Sequence, residues 1–350
     1  MKKRWNCGIT ALFFTLCLTA CSGSPGDTAA KNRSPGELVI YCPHPLEFIN
    51  PIVSEFEMRT GIEVTVYNSG TVELLDMVEN KEEPLCDVFW GGSLSTTSSR
   101  NQLFEPYISE NEPMIHEEFR NTEGNMTRFT DLPSVLMVNK NLTGDLVIEG
   151  YEDLLQPELK GKIAMCSPST SSSANEHLIN MLYAMGKGDP ENGWAYVEEF
   201  CLQLNGRLLS SSSEVYHGVA DGRFAVGLTF EEGASHFVDD DGPVELVYMK
   251  EGVISKADSV CIIKGTENLK KAKEFVNFVT GKDAQEIITS SLGRRSVRMD
   301  VEEPAYFPSK SSIHLISDDL DLVNDKKEEW ILKFDQIYRS TLQEHGGEGS

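Results

Sequence analysis

Residues 37–93 read ELVIYCPHPLEFINPIVSEFEMRTGIEVTVYNSGTVELLDMVENKEEPLCDVFWGGS, and this stretch decides the fold. Three short apolar runs predict strands, at 37–41, 62–67 and 87–90. Between them, apolar residues recur at helical spacing over 45–60 and 71–80, and Gly61 ends the first of these helices. Alternating strands and helices with short connections predict a parallel sheet covered by helices, which is an α/β fold.

The same alternation restarts in the second half of the chain. Further strands are predicted at 134–139, 161–166, 207–210 and 224–230. Helices are predicted after residue 174 and over 214–220, 268–279 and 326–342. Because 350 residues exceed the roughly 250–300 at which a single core stops growing, we expect two α/β lobes.

Small and hydroxyl-bearing residues follow the predicted strands. They form loops at 42–45, 68–71 and 91–93, and serine-rich runs at 167–174 and 211–213. Most of these segments lead into a predicted helix, whose exposed first N–H groups and dipole favour an anion. Turns and helix caps need the same residue types, so any single loop also has a purely structural interpretation. Because ligands of open α/β sheets bind at the carboxyl ends of strands, several such loops together favour an anion site.

The N-terminal residues have the pattern of an exported lipoprotein. A basic start at 2–4 precedes an apolar run over 9–18, which is too short to span a bilayer core of ~30 Å. The tetrapeptide LTAC that ends at Cys21 resembles the bacterial lipobox, which implies cleavage before Cys21 and lipid on its thiol. We predict a signal peptide at 1–20 and a flexible tether at 21–36. The tether would hold the protein to the extracytoplasmic face of a cell membrane; a cleaved signal without lipid is the alternative.

Composition and motifs argue against several functions. The chain has 55 acidic and 31 basic residues and a net charge of −24, which opposes binding to nucleic acid and to anionic lipid. The histidines match no metal-binding spacing, and the motifs of serine hydrolases, P-loop proteins and dinucleotide-binding proteins are missing. We therefore predict no enzyme activity, no cofactor and no metal site. Five cysteines lie in apolar stretches, where buried free thiols are favoured, although export permits a disulfide and no pairing is assigned: Cys42, Cys86, Cys166, Cys201 and Cys261.

Several blocks of the chain, in order, resemble the family 1 extracellular solute-binding proteins of ABC importers. These blocks are 41–64, 68–93, 132–142, 154–185, 224–234 and 268–285. The resemblance implies two lobes that close on a ligand about a hinge. The implied boundaries are 37–133 plus 252–298 for lobe 1, 134–251 plus 299–342 for lobe 2, and a disordered tail at 343–350. The chain would first cross between the lobes over 130–139 and return over 249–257.

Within this family, the chain is most similar to the branch that binds ferric iron, sugar phosphates or aminoethylphosphonate. Ferric binders carry a tyrosine pair after the strand that here reads FAVGL, where this chain has Thr229-Phe230-Glu231-Glu232. Adjacent strand residues face opposite sides, so only one of the two glutamates would face a cleft. The missing tyrosines disfavour iron, whereas hydroxyl-rich helix starts favour a phosphate or phosphonate. Glu231 and His44 would then bond the hydroxyls of a sugar.

The predicted ligand-binding residues belong to the loops described above and to the first crossing. They are His44, Ser69, Gly70, Thr71, Gly92, Ser93, Thr130, Thr170, Ser171, Ser172, Ser173, Ser211, Ser213 and Glu231. We expect a monomeric substrate-binding lipoprotein that passes a small anionic solute, a sugar phosphate, to an ABC permease. Binding of ferric iron or a phosphonate stays open as an alternative, as does a surface receptor or adhesin with the same fold.

Overall fold

The computed structural model describes residues 36–82, 85–238 and 242–346, without the side chains of 343–346. The predicted signal peptide, Cys21 with its lipid and nearly all of the tether lie outside these residues. The described strands are β1 (Leu38–Tyr41), β2 (Val64–Tyr67), β3 (Val88–Ser93), β4 (Thr127–Asn139), β5 (Ile163–Ala164), β6 (Val226–Phe230), β7 (Val244–Val247), β8 (Ser255–Ile262) and β9 (Arg295–Ser296). The described helices are α1 (Leu46–Thr60), α2 (Thr71–Asn80), α3 (Leu94–Ser98), α4 (Lys140–Thr143), α5 (Ser172–Met185), α6 (Trp194–Leu204), α7 (Ser212–Ala220), α8 (Glu231–Ser235), α9 (Leu269–Val279), α10 (Lys282–Ser291) and α11 (Leu320–Gly346).

The first lobe, lobe 1, is built on a mixed sheet. Its strand β1 lies parallel to β2 and β3, with Ile40 opposite both Val66 and Val88. Strand β3 pairs antiparallel with β8, which pairs with the first half of β4. Helices α1 and α9 cover this sheet because each has an apolar face that the sheet buries, including Phe56 on α1 and Phe275 on α9.

Strand β4 runs through both lobes. Its residues up to Pro133 pair with β8, and its residues from Ser134 pair with β6 and β7. Pro133 has no N–H to donate to a ladder, and it stands where the strand changes partners. The two sheets are thus joined by continuous backbone between the lobes.

The second lobe, lobe 2, surrounds the largest core. The end of β4, with β5 and β6, packs against α5, which is buried along most of its length. Helix α11 returns to this core through Trp330 and Phe334, which are at most 2% exposed. The α/β class and the two-lobed architecture predicted from the sequence are confirmed.

The structure confirms most of the predicted elements and corrects three details. The segment 207–210 is not a strand and contributes only an isolated bridge between Leu209 and Cys166. Gly91–Ser93, predicted as a loop, continues β3 through a bulge. Helix α2 buries Leu74 and Leu75, and its residue Val72 lines the space between the lobes. Glu231 and Glu232 begin the short helix α8 and are not strand residues.

Two further findings concern the described residues only. None of their helices combines the length and the apolar character needed to cross a membrane. The five cysteines of the described chain are buried, and Cys42, Cys166, Cys201 and Cys261 are free thiols. Burial raises the pKa of Cys166, Cys201 and Cys261 to about 12, so these thiols are unreactive at neutral pH.

Candidate functional site

A cleft of about 1050 Å³ lies between the lobes. The first residues of four helices line it: Pro45 and Glu47 at α1, Gly70 to Glu73 at α2, Ser171 to Ser173 at α5 and Ser211 to Ser213 at α7. The first four N–H groups of a helix have no partner within the helix, and the helix dipole makes that end positive. Four such ends at one cleft bring together N–H donors and the positive ends of four helix dipoles.

On the lobe 2 side, serines cap both helices. The Ser171 hydroxyl accepts from the Ala174 N–H at 3.3 Å, and the Ser211 hydroxyl accepts from the Glu214 N–H at 3.3 Å. The Ser171 and Ser212 hydroxyls lie 3.0 Å apart, so the two helix starts are immediate neighbours. Capping orients these hydroxyls, and the neighbouring Ser172, Ser173, Ser212 and Ser213 line the same cleft.

On the lobe 1 side, two glycines allow a close approach of backbone. Gly91 and Gly92 have φ of 123° and 77°, in the region that favours glycine. A Cβ on Gly91 would lie 2.6 Å from His44 Nε2, and one on Gly92 would lie 2.6 Å from Thr71 Cγ2. The Thr71 hydroxyl is 3.3 Å from that of Ser172, so the lobes touch at this edge of the cleft.

A buried arginine, Arg294, forms the floor of the cleft. It is 1% exposed and donates to Asp258 Oδ2 at 2.9 Å and to Glu232 Oε2 at 3.2 Å. It also donates to His44 Nδ1 at 3.0 Å, and its guanidinium lies 4.0 Å from the centre of the Phe48 ring. One arginine therefore ties together both lobes at the floor of the cleft.

The electrostatics of this cluster follow from burial. Burial and the neighbouring Arg294 hold the pKa of His44 well below its usual value, so the imidazole is neutral. His44 Nδ1 lies 3.0 Å from Arg294 Nη2, and Nε2 lies 3.3 Å from Arg294 Nη1 and 3.4 Å from Asp258 Oδ2. Burial raises the pKa of Asp258 to about 6, although Arg294 opposes that rise.

The remaining charges on the cleft are mostly acidic. Carboxylates are contributed by Glu47, Glu73, Asp76, Glu82, Glu176 and Asp258, and cations by Lys256 and Arg294. Lys256 pairs with Asp318 and Arg294 with Asp258, so both cations are already balanced by carboxylates. The cleft therefore offers neutral hydroxyl and N–H donors beside carboxylate acceptors.

The structure brings most of the predicted ligand-binding residues together. Twelve of them line the cleft: His44, Ser69, Gly70, Thr71, Gly92, Ser93, Thr170, Ser171, Ser172, Ser173, Ser211 and Ser213. Thr130 and Glu231 do not line it. Thr130 is fully buried and its hydroxyl accepts from Arg294 at 3.4 Å. Glu231 is 1% exposed and is bound by Arg295 at 2.8 Å and by the Tyr248 hydroxyl.

Other cleft residues were not predicted from the sequence. They are mainly Asn68, Ser134, Glu176, Ser210, Ser212, Tyr216, His217, Lys256, Asp258 and Arg294. One signal was available for Arg294: it belongs to the run GRRSVR at 293–298 of a strongly acidic chain. All three arginines of that run are at most 5% exposed, and each is matched by acceptors from distant parts of the chain.

Comparison with known proteins identifies the family. The family model described as bacterial extracellular solute-binding protein matches residues 38–291. The chain belongs to this family. A probable ABC transporter periplasmic-binding protein of Sinorhizobium fredii is 22% identical over 294 residues, which cover 81% of each chain. This family is that of the extracytoplasmic substrate-binding proteins of ABC importers, which are not enzymes, as the sequence predicted.

Two solved structures extend the comparison. A protein described as a two-component system protein that mediates signal transduction is 30% identical, with a TM-score of 0.73 over 84% of this chain and 99% of that one. The periplasmic binding protein AfuA of Actinobacillus pleuropneumoniae, solved with fructose-6-phosphate, is 23% identical, with a TM-score of 0.78 over 87% of this chain and 99% of AfuA. At that identity, the likeness to AfuA shows the fold.

Proposed function

We propose that this solute-binding protein captures a small phosphorylated organic solute, a sugar phosphate, in the cleft between its lobes. The observation that carries the proposal is the meeting of four helix N-termini with a dense set of hydroxyls at one cleft. Neutral donors of this kind bind a phosphate without a dedicated cation. Neutral donors can bind a phosphate even though the overall negative charge of the chain repels anions. Their short-range contacts outweigh the long-range repulsion, which salt screens.

The acidic lining of the cleft supports a sugar at the other end of the ligand. Carboxylates accept hydrogen bonds from hydroxyls but repel a bare anion. Glu176 is 8% exposed, and one of its oxygens has no hydrogen-bond partner in the described chain. A buried acceptor of that kind favours a ligand that brings hydroxyl donors. A sugar phosphate would engage both the donors and the carboxylates of the cleft, whereas inorganic phosphate would engage only the donors. The fructose-6-phosphate bound to AfuA is consistent with this choice.

Attachment to the membrane is part of the same proposal. Lipid on Cys21 and a tether over 21–36 would keep the binding protein close to its permease, with reach on the order of 20 Å at ~5–6 Å × √n. Metabolic labelling with palmitate tests this step. Wild-type protein is expected to carry label in the membrane fraction, and Cys21→Ala protein to carry none. Equal label in both proteins would exclude lipid on Cys21.

Isothermal titration tests the ligand. We expect heat from glucose-6-phosphate, less from inorganic phosphate or aminoethylphosphonate, and none from glucose at the same concentration. The double variant Ser211→Ala/Ser213→Ala should weaken the binding of glucose-6-phosphate at least tenfold. The matched control is Ser309→Ala/Ser311→Ala. This exposed pair has the same geometry, because its hydroxyls are 3.0 Å apart and those of Ser211 and Ser213 are 2.9 Å apart. Absence of heat with all three phosphorus ligands would overturn the proposal.

Ferric iron is the alternative within the importers. Tyr216 is the one tyrosine among the described residues that line the cleft, and burial raises its pKa to about 12. The described chain also has no cluster of three histidine, cysteine, aspartate or glutamate residues able to hold a metal ion. Iron binding predicts a coloured protein after ferric citrate is added, and our proposal predicts a colourless one.

A sensory role is a second candidate, favoured by the 30% identical protein described as part of a two-component system. In that role the closed, ligand-bound form would contact a membrane sensor, with or without a permease. Deletion of the gene separates the two functions. Loss of sugar-phosphate uptake with normal transcription indicates transport, and loss of the transcriptional response at normal permease levels indicates sensing.

A further inference from the structure

Lys327 on α11 is a buried lysine that forms no ion pair within 4 Å in the described chain. Lys327 is 6% exposed, and its Nζ donates to the Ser95 carbonyl at 3.2 Å. Lys256, Lys310 and Lys326 each have a carboxylate within 4 Å, but Lys327 has none among the described residues. Burying an unpaired ammonium costs several kcal/mol of folding free energy, so a group that bonds or neutralises Lys327 stabilises the folded protein.

A second, smaller cavity of about 130 Å³ lies against Lys327, and we call it the interlobe pocket. Lobe 1 lines it with Thr96, Ser99 and Arg100, and lobe 2 with Ser171, Ser172 and Asn175. At ~30 Å³ per water, the pocket has room for about four waters or one small oxyanion. It is too small for a hexose phosphate, which needs the larger cleft.

The pocket also has donors that the protein does not satisfy. Asn175 is 2% exposed, and its amide Nδ2 has no hydrogen-bond partner in the described chain. It lies in the first turn of α5, a helix of 14 residues whose positive end lies at the pocket. Lys327 Nζ carries three protons and has one acceptor among the described residues, the Ser95 carbonyl. These donors come from two different helices and meet at the same small space.

The acidic groups around the pocket do not form an ion pair with Lys327. Asp76 pairs with the rim residue Arg100 at 2.6 Å, and Glu328 is exposed at the rim. Glu176 attracts Lys327 from beyond ion-pair distance, while one of its oxygens accepts from Ser95. Burial lowers the pKa of Lys327, as expected for an ammonium that lacks a direct counter-ion.

We propose that the interlobe pocket binds a small oxyanion of the size of phosphate or sulfate. Lys327 Nζ, Asn175 Nδ2 and the first turn of α5 would hold it. Because its walls come from both lobes, the bound anion stabilises the contact between the lobes. The oxyanion is either free in solution or the phosphoryl group of a captured solute that extends past Ser171 and Ser172, which line both cavities.

The experiment measures the melting temperature of the whole protein in sodium sulfate and in sodium phosphate at constant ionic strength. For wild-type protein, sulfate at 100 times its dissociation constant should raise Tm by about 4 °C. Lys327→Met should abolish the response, and Asn175→Ala should weaken it. The matched control is Lys326→Met on the same helix, because Lys326 is partly exposed and pairs with Glu329 at 2.9 Å. If Lys327→Met fails to fold, Asn175→Ala decides the question.

The outcomes separate this proposal from the proposed function. A sulfate response that persists under saturating glucose-6-phosphate identifies a free oxyanion. A response that glucose-6-phosphate abolishes, together with weaker binding of that solute by Lys327→Met, identifies its phosphoryl group. No response in wild-type protein, or an equal response in Lys327→Met, overturns the proposal. Failure of glucose-6-phosphate to bind with an intact sulfate response refutes the sugar-phosphate function alone.

Discussion

Replacing Arg294 with methionine should destabilise the protein and weaken ligand binding together. The arginine is 1% exposed and bonds Asp258, Glu232 and His44. Methionine fills much of the same volume but leaves two buried carboxylates without their cation. Removing one partner of a buried ion pair typically costs ~3–5 kcal/mol. The affinity for the solute should fall as well, because the same bonds fix His44 and Asp258 on the cleft floor.

The expected shift in Tm follows from the size of the protein. At ~2.1 cal/mol/K per residue, about 300 folded residues have an unfolding entropy near 0.6 kcal/mol/K, so the loss corresponds to about 5–8 °C. Differential scanning calorimetry measures it. The matched control is Arg207→Met, an exposed arginine, which should change Tm by less than about 1 °C.

A second variant distinguishes lost charge from lost packing. Asp258→Asn removes one of the two carboxylates, so Arg294→Met/Asp258→Asn should be more stable than Arg294→Met alone. The coupling should be about 1–3 kcal/mol, as for residues in one buried network. An Arg294→Met protein that melts within about 1 °C of wild type would refute the account of the cleft floor. Additive losses in the double variant would refute the electrostatic reasoning.

Three further predictions follow from the same contacts. The pKa of Asp258 rises from 3.8 to about 6 on folding, so the folded state binds more protons between those values. The free energy of unfolding of wild-type protein, relative to Asp258→Asn, should therefore fall by up to about 3 kcal/mol as the pH rises from 4 to 7. Urea titrations of both proteins at each pH measure this difference, and a difference that does not change with pH would contradict the prediction. Gly91→Ala should destabilise the protein more than Gly222→Ala, because both have positive φ but only Gly91 has a neighbour, His44, within 4 Å of the new Cβ; equal losses in Tm would show that the close approach is unimportant. Cys201 and Cys261 should resist a thiol reagent in folded protein and react when it is unfolded in urea, because burial raises their pKa to about 12; rapid labelling of the folded protein would contradict their burial.

The alternation of elements was predictable because it depends on local periodicity. The apolar stripe of α9 is an example, since Ala272, Phe275, Val276 and Val279 are buried as the spacing predicts. The hydroxyl-rich helix starts were predictable for the same reason, because a serine N-cap is read from a few neighbouring residues. The bulge at Gly91–Ser93 was missed because its geometry depends on pairing with β8, which lies far along the chain.

The charged floor of the cleft was beyond local reasoning. Arg294 and His44 are 250 residues apart in the sequence and meet only through the fold. Glu231 was expected at the ligand, but the structure assigns its carboxylate to Arg295, 64 residues away. Long-range ion pairs of this kind leave no periodic pattern in the chain. Residue type indicated the chemistry of the cleft, and only the fold indicated which charges are already paired.

A crystal structure of the protein with glucose-6-phosphate tests the central claim most directly. The account predicts the phosphorus atom at the meeting point of the α2, α5 and α7 N-termini, within hydrogen-bond reach of Ser171 and Ser211. It predicts the sugar hydroxyls beside the carboxylates of the cleft. A phosphate bound by side-chain cations away from those helix starts, or a metal ion in the cleft of protein carried through purification, would contradict it.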